Sequence, residues 1–313
     1  MRAPHRPGAI RWPHPNDPTG SRAQNAPMKA PPRLQALIDE GLMDNVVRQL
    51  MSGKEAAVYV VRSGDETLCA KVYKAANERS FRQAVDYTEN RKVKNTRQAR
   101  AMAKGTRFGR EATEAAWQSA EVDALHRLAA AGVRVPQPHN FCDGVLLMEL
   151  VTDPQGDAAP RLNDVQFSPE DARRHHATLI REVVRMLCAG VVHGDLSEFN
   201  ILLGTTDGLP GPVIIDLPQA VDAAGNNHAK RMLLRDVDNL RDFFGRFAPD
   251  ILATQYGPEI WQLYEKGQLA LDSPLSGRFR AKGGPVDQGG VLREIDDARD
   301  EEAARRLRMQ TAG

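Results

Sequence analysis

Apolar positions recur along this chain with two different periods. Leu34, Leu37, Ile38 and Leu42 keep the spacing of one helical face, so structure is expected to begin near Pro31, with Gly41 weakening the end of that helix. A second short apolar set, Val46, Val47 and Leu50, follows Asp44, a side chain suited to an N-cap. The pattern then changes. The small residues of Met51–Ala57 lead into Val58-Tyr59-Val60-Val61, and a turn at Ser63-Gly64-Asp65 leads into Leu68-Cys69-Ala70-Lys71-Val72-Tyr73. That order reads as strand, small-residue loop, strand, hairpin turn and strand.

Helical spacing returns from about Glu111 to Ala131 and stops at Gly132, with a stripe of Trp117, Val122 or Glu121, Leu125 and Leu128. The prolines of Val133–Pro138 impose extended backbone, and Asn140–Gly144 reads as a strand and turn. Val145–Val151 reads as a buried strand. The polar stretch Thr152–Pro160, with Asp153 and Asp157 solvated, suits a boundary between two lobes. Ser168-Pro169-Glu170-Asp171 carries an N-cap, a proline at the first helical position and an acid at the third. Leu179, Ile180, Val183, Val184 and Leu187 continue that helix to Gly190, and further helices are expected at about Asn227–Phe247 and from Pro258 to Tyr264.

Composition narrows the class. The chain has 313 residues, 41% hydrophobic and 27% charged, which is ordinary for a globule and long enough for two lobes. A formal net charge of +1 supplies no whole-chain field toward nucleic acid. No apolar run is long enough to cross a membrane, and Met-Arg-Ala-Pro-His-Arg-Pro has no secretory core, so a cytoplasmic location is expected. Cys69, Cys142 and Cys188 each sit in an apolar run and read as buried free thiols. The expected layout is a basic tail at 1–30, a first lobe at 31–151, a second lobe at 152–275 and a flexible, charged end at 276–313. Within the first lobe, residues 77–110 are strongly basic and read as a flexible insertion, a candidate contact for RNA phosphates or an acidic partner.

The chemistry concentrates at His193-x-Asp195-Leu196-x-x-x-Asn200, followed by the apolar run Pro212–Ile215 that ends on Asp216. Two acids and an amide leaving short buried runs suit a nucleoside triphosphate: Asp195 orients an incoming hydroxyl, while Asn200 and Asp216 are hard oxygen ligands for Mg²⁺. His193 reads as a structural hydrogen-bonder. Lys71 lies inside an apolar strand, where a lysine is unusual unless paired, and shares a face with Cys69 and Tyr73. Glu121 is expected as its partner, with Glu114 as runner-up. Ser52, Gly53, Lys54, Glu55 and Ala56 let backbone N–H groups approach phosphates, though Gly53-Lys54 is followed by Glu55 and is no P-loop. Met148, Glu149 and Val151 are expected at the floor of the cleft, where backbone groups from Glu149 to Val151 read an adenine edge. Arg235, Asp236 and Asp238 are candidates to tie their helix to the 193–200 loop, against solvent-facing ion pairs.

Taken together, Ser52–Ala56 with Val58-Tyr59, Lys71 in Ala70–Tyr73, Met148-Glu149, His193–Asn200 and Ile215–Gln219 resemble an atypical protein kinase of the RIO family, closer to its RIO1-like branch and of bacterial type. The resemblance covers about residues 33–270. It implies an α+β, trimmed, two-lobed protein-kinase-like fold with an antiparallel sheet and helices in the N-lobe, a mainly helical C-lobe and no long activation segment. It further implies ATP and Mg²⁺ as cofactors, with Mn²⁺ as substitute. Residues 52–56 and Val58 would lie over the nucleotide, Lys71 on its phosphates, Asp195 as catalytic acid, and Asn200 and Asp216 on the metal. The activity implied is transfer to a protein serine, including the chain's own. The alternatives are an ATPase switch in ribosome assembly that works through phosphorylated Asp216, a small-molecule phosphotransferase of the aminoglycoside or choline type, and a nucleotide-binding scaffold.

Overall fold

Five antiparallel strands form the first layer. The structure is a computed structural model that describes residues 28–53, 55–74, 107–206 and 208–279, with backbone alone over 107–117. Helix α1 (Pro32–Asp39) leads into strands β1 (Asn45–Ser52), β2 (Ala56–Ser63) and β3 (Glu66–Tyr73). Helix α2 (Arg107–Ala130) follows, then β4 (Pro138–Cys142) and β5 (Val145–Glu149). The sheet order is β1-β2-β3-β5-β4.

Alternation along these strands decides what each face touches. Ala57, Tyr59, Val61, Leu68, Ala70, Val145 and Leu147 point to one side and bury Leu34 and Leu37 of α1. Ala56, Tyr73, Leu146 and Met148 point to the other and join the larger core with Val122, Leu125 and Leu128 of α2. Lys71 is on that second face by the same count of two, so pleat geometry alone turns it away from α1.

The second layer is mainly helical. Helix α3 (Pro169–Cys188) is followed by β6 (Val191–Val192), the hairpin β7 (Ile201–Thr206) and β8 (Leu209–Ile214), and β9 (Val221–Asp222), which pairs with β6. Helices α4 (Ala229–Gly245) and α5 (Tyr256–Glu265) complete it. Ser168 caps α3 as the sequence implies, its Oγ accepting the Asp171 N–H at 3.1 Å, and all five apolar positions foreseen on that helix are buried. Among the described residues no helix is long and apolar enough to cross a membrane.

Several local expectations are corrected. Asp44 caps no helix, because Asn45–Ser52 is taken up as an edge strand by β2; its carboxylate instead accepts the Gly64 N–H in the β2–β3 turn at 2.7 Å. Helix α1 does start beside Pro31, its N-cap, and ahead of it the Met28 N–H donates to Val46 O at 3.1 Å. Helix α2 starts at Arg107, four residues earlier than the apolar stripe suggests and inside the stretch read as insertion. It ends as anticipated at Gly132, where φ of +71° and a Val133 N–H to Leu128 O bond of 3.0 Å close a Schellman turn. Thr152–Pro160, read as a boundary between lobes, is tied down locally: Thr152 bridges Ala158 and Thr205, and Pro160 O accepts the Leu203 N–H at 2.8 Å. Asp153 shapes that turn by accepting the N–H groups of Gln155 and Asp157, both at 2.9 Å. Of the three thiols expected inside, Cys69 is buried, Cys142 half-buried and Cys188 exposed, because Cys188 is the last residue of α3 and falls off its apolar face. The tail at 1–27, most of the basic 77–110 stretch, the Glu114 and Trp117 side chains and the 280–313 end lie outside the described residues.

Candidate active site

Three elements distant in sequence meet at the Lys71 ammonium. From β3 its Nζ reaches Glu121 Oε1 on α2 at 2.5 Å and Asp216 Oδ1, just beyond β8, at 2.8 Å. The two carboxylates differ in setting: the Glu121 side chain is 4% exposed, that of Asp216 44%. Glu121 is further fixed by Tyr73, whose buried hydroxyl donates to Oε2 at 2.7 Å. Burial pulls the Lys71 pKa down, but Asp216 and Glu121 outweigh it and hold the ammonium charged well above its ordinary range. Burial pushes the Asp216 carboxyl up, and the charge and hydrogen bond of Lys71 overcome that, so it stays ionised below the usual carboxylate range. Tyr73 is pushed up by burial and by the neighbouring Glu121 charge, so its proton stays in place to be donated. Cys69 lies on the same strand face and is pushed up by burial to about 12, an inert thiol.

Lys71, Glu121 and Asp216 line a pocket whose remaining walls are apolar: Leu125, Pro136, Leu146, Met148, Ile215 and Leu217. Met148, expected at the floor of the cleft, is one of these lining residues. Val58 lies opposite Lys71 in the β2–β3 register, half-buried on the same face of the sheet. The small-residue loop turns tightly: the Gly53 N–H bonds to Ala56 O at 2.9 Å and Glu55 O accepts the Lys74 N–H at 2.8 Å. Ser52 is exposed at the end of β1, whereas Ala56 is buried and Glu55 exposed; Lys54 lies outside the described residues.

At Glu149 and Val151 the structure engages one backbone group each. The Glu149 N–H already donates to Gln137 O at 2.8 Å, and its carboxylate accepts the Gln137 N–H at 3.1 Å and the Thr206 hydroxyl. Val151 O accepts the Ala159 N–H at 3.0 Å. Glu149 thus braces the strand exit against β7, and these bonds involve neither the Glu149 carbonyl nor the Val151 N–H.

The loop after β6 is held from beneath. His193 Nε2 lies 3.1 Å from Ile215 O, and Nδ1 accepts the Asp195 N–H at 3.2 Å, a structural arrangement in line with the sequence reading. Asp236 of α4 is 2% exposed and accepts two backbone donors, Gly194 N–H at 2.8 Å and Leu196 N–H at 2.9 Å. Arg235 donates to Gly194 O, and Asn239 Nδ2 to Leu196 O at 2.9 Å. Asp238, the other candidate for this task, instead pairs with Arg241 at 2.6 Å, because its place on the helix turns it outward. Gly194 has φ of +79°, and an added Cβ would sit 2.7 Å from Gln219 O, so only glycine fits. Burial raises the Asp236 carboxyl to about 6 against the pull of His193 and the two N–H groups.

Asn200 joins the two acidic positions. Its Nδ2 donates to Asp195 O at 2.8 Å and Asp195 Oδ2 at 3.2 Å, and its backbone O accepts the Ile215 N–H at 3.0 Å, one residue before Asp216. Asp216 itself has φ of +65°, a strained conformation for a non-glycine residue, of the sort found where a side chain is aimed for function. An amide and a carboxylate form a hard-oxygen pair that fits Mg²⁺, which keeps several waters, and the Asp216 carboxylate already attracts a cation in the form of Lys71. Among the described residues no group of three or more His, Cys, Asp or Glu side chains is arranged for a metal.

Sequence reasoning missed Tyr73 as the second partner of Glu121, although its place two residues from Lys71 was the available signal. It also missed Arg161, whose Nη2 contacts Met51 Sδ at 3.3 Å.

The chain is similar in sequence to proteins of one family. A family model described as RIO domain matches residues 57–256. The RIO-type serine/threonine-protein kinase Rio1 of Haloferax volcanii is 36% identical over 217 residues, covering 68% of each chain. The serine/threonine-protein kinase RIO1 of Caenorhabditis elegans is 30% identical over 70% of this chain but only 41% of its own, and the RIO3 kinase of that organism is 31% identical over 69% and 40%. This chain thus spans about two fifths of the length of the nematode relatives. A solved structure of the Rio2 kinase-ADP/Mg²⁺-phosphoaspartate complex from Chaetomium thermophilum covers 72% of this chain and 66% of its own, at 24% identity and a TM-score of 0.49.

Proposed function

This chain belongs to the RIO family, and from that premise and the geometry of the cleft we propose that it is a phosphotransferase acting on the γ-phosphoryl group of ATP. The observation that carries the proposal is the Lys71 ammonium held between buried Glu121 and half-exposed Asp216. ATP lies against the apolar wall of Leu146, Met148 and Leu217, beneath Ser52–Ala56 and Val58. Lys71, steadied by Glu121 and Tyr73, turns from Asp216 to the α/β-phosphates. Asn200 and Asp216 would hold Mg²⁺, which would supply positive charge to the phosphate oxygens. Asp195, set by Asn200 and by the backbone that Asp236 holds, orients the attacking hydroxyl. Catalysis is then positioning plus electrostatics.

Two acceptors are compatible with that constellation, and one observation favours an acceptor inside the cleft. The chain passes from Asp216 to α4 through Leu217–His228, a short link tied down where β9 pairs with β6. It offers no extended segment on which a protein substrate would lie. Asp216 is ionised, accessible and aimed by its backbone. The favoured reading is therefore an ATPase switch: an Asp216 oxygen attacks the γ-phosphorus, the bond to the ADP oxygen breaks, and water later hydrolyses the acyl phosphate. Transfer to a serine, including a serine of this chain, is the second reading, in the manner of a non-specific serine/threonine-protein kinase. Placement in the RIO1-like branch is supported by the identity to the Haloferax protein. The bacterial type, a cytoplasmic location and an RNA contact through the basic 77–110 stretch rest on sequence pattern alone.

The test is incubation with γ-labelled ATP and Mg²⁺, resolving free phosphate, acyl phosphate and phosphoserine for wild type, Asp195→Ala and Asp216→Ala. A hydroxylamine-labile label lost in Asp216→Ala supports the switch. Acid-stable serine label that needs both aspartates supports the kinase. No turnover of any kind by the wild type rejects both.

A further inference from the structure

Arg161 reaches toward the small-residue loop, and its donors meet no oxygen of another side chain among the described residues. Its guanidinium forms no ion pair there; its single side-chain contact is the Met51 thioether at 3.3 Å. A thioether is a weak acceptor, so most of the five N–H donors of this fork have no strong partner. Other arginines of the same layer behave differently: Arg173, Arg185, Arg241 and Arg246 each hold a carboxylate.

Its place is fixed on both sides. The backbone of Arg161 bridges Leu202, two residues beyond Asn200, and the preceding Pro160 O accepts the Leu203 N–H at 2.8 Å. The side chain reaches across to Met51 on β1, the residue before Ser52-Gly53. The guanidinium therefore spans from the base of the Asn200 segment to the edge of the small-residue loop. Its charge is also felt at Asp216, where it adds to the larger effect of Lys71 in opposing burial.

We propose that Arg161 donates to the terminal phosphoryl group of bound ATP, exchanging the Met51 sulfur for phosphate oxygens and so selecting a triphosphate over a diphosphate. The inference rests on the ATP-dependent reading above and deepens it. A planar guanidinium suits this task because it presents two parallel donors to two oxygens of one phosphate. Lys71, already committed to the inner phosphates, has neither that reach nor that geometry. The nucleotide lacking the third phosphate leaves Arg161 where it is, on Met51.

The experiment compares ATP and ADP binding to the full chain with Mg²⁺, by calorimetry or a fluorescent-nucleotide titration, for wild type, Arg161→Gln and Arg161→Lys. Loss of a charge-assisted bond predicts ATP affinity weakened about tenfold in Arg161→Gln, with ADP affinity changed less than about twofold. Arg161→Lys retains the charge without the fork and should fall between. Equal weakening of both nucleotides would show that Arg161 merely shapes the cleft, and unchanged binding of both would show that it is idle; either overturns the inference while leaving the phosphotransfer reading intact. A wild type that binds neither nucleotide overturns both. Because the side chain is on the surface, a melting temperature equal to wild type is expected for both variants.

Discussion

Tyr73 donates its hydroxyl to Glu121 at 2.7 Å, so the glutamate that holds Lys71 is itself held by a residue two positions along the same strand. Strand β3 thus supplies both partners of one buried carboxylate, and helix α2 supplies only the acceptor. Tyr73→Phe keeps the ring and its edge contact with Phe141 but leaves Glu121 Oε2 without this donor in a buried setting. The cost should be about 1–3 kcal/mol in stability by denaturant unfolding, accompanied by weaker ATP binding as Lys71 loses its brace.

Removing the ammonium is a harsher change. Lys71→Met leaves Glu121 buried with Tyr73 as its remaining described partner and takes from Asp216 its ion-pair partner. Breaking a buried pair from one side costs about 3–5 kcal/mol, an upper figure here because the Asp216 end is half-exposed. The double variant Lys71→Met with Glu121→Gln should recover part of that stability while remaining inactive toward ATP. A unfolding midpoint no better than that of Lys71→Met alone would argue against the pairing as the cause.

Asp236 gives a pH signature. Its carboxyl titrates near 6 in the folded chain, above the ordinary 3.8, so the folded state binds the proton more tightly than the unfolded state. Its contribution is fully present below the ordinary value and declines as pH rises through about 6. By linkage the decline is about 2 kcal/mol between pH 4 and pH 7. Urea unfolding of wild type and Asp236→Asn at both pH values isolates it: the advantage of the wild type should shrink by that amount toward neutrality. Turnover by Asp236→Asn should also fall, because an amide cannot accept both the Gly194 and Leu196 N–H groups.

His175 and His176 run in the opposite direction. Burial lowers both to about 4 from an ordinary 6.5, and the Nε2 atoms have no hydrogen-bond partner among the described residues, His176 lying against Phe244 and Tyr256. Their stabilising contribution as neutral rings is present above 6.5 and is withdrawn as pH falls toward 4. Acidification from pH 7 to pH 5 should cost about 2 kcal/mol per histidine. His176→Leu, which needs no proton, should lose less stability than wild type over that interval, measured by thermal unfolding at each pH.

Gly204 tests the join between the two layers. A Cβ there would meet Ala159 Cβ at 2.6 Å, Thr152 O at 2.7 Å and Val151 Cγ1 at 2.7 Å. Gly204→Ala must push β7 away from the segment that follows β5, and a destabilisation of about 1–3 kcal/mol is expected from overpacking. Gly208→Ala, with open space around it but φ of +72°, is the control for backbone strain alone.

What the chain determined by itself is whatever its neighbours in sequence decide. The Ser168 cap, the stop at Gly132, the β2–β3 turn and the placing of Lys71 on one strand face follow from side chains within a few residues of one another, and each was legible. The joint spacing of Asp195, Asn200 and Asp216 was legible too, because one loop and one hairpin carry all three. Tertiary structure decided the rest. Asn45–Ser52 became a strand only because β2 offers it a ladder, which overrides the local appeal of Asp44 as a cap. Cys188 is exposed because the phase of α3 against its neighbours, not the apolarity of its surroundings in sequence, sets its direction. Asp236 and Asp238 are alike as residues, and two positions around a helix separate a buried brace from a surface ion pair. Arg161 lacks a carboxylate partner among the described residues because none was folded toward it. Burial and long-range pairing of charges are properties of which elements pack together, and no window of sequence contains them.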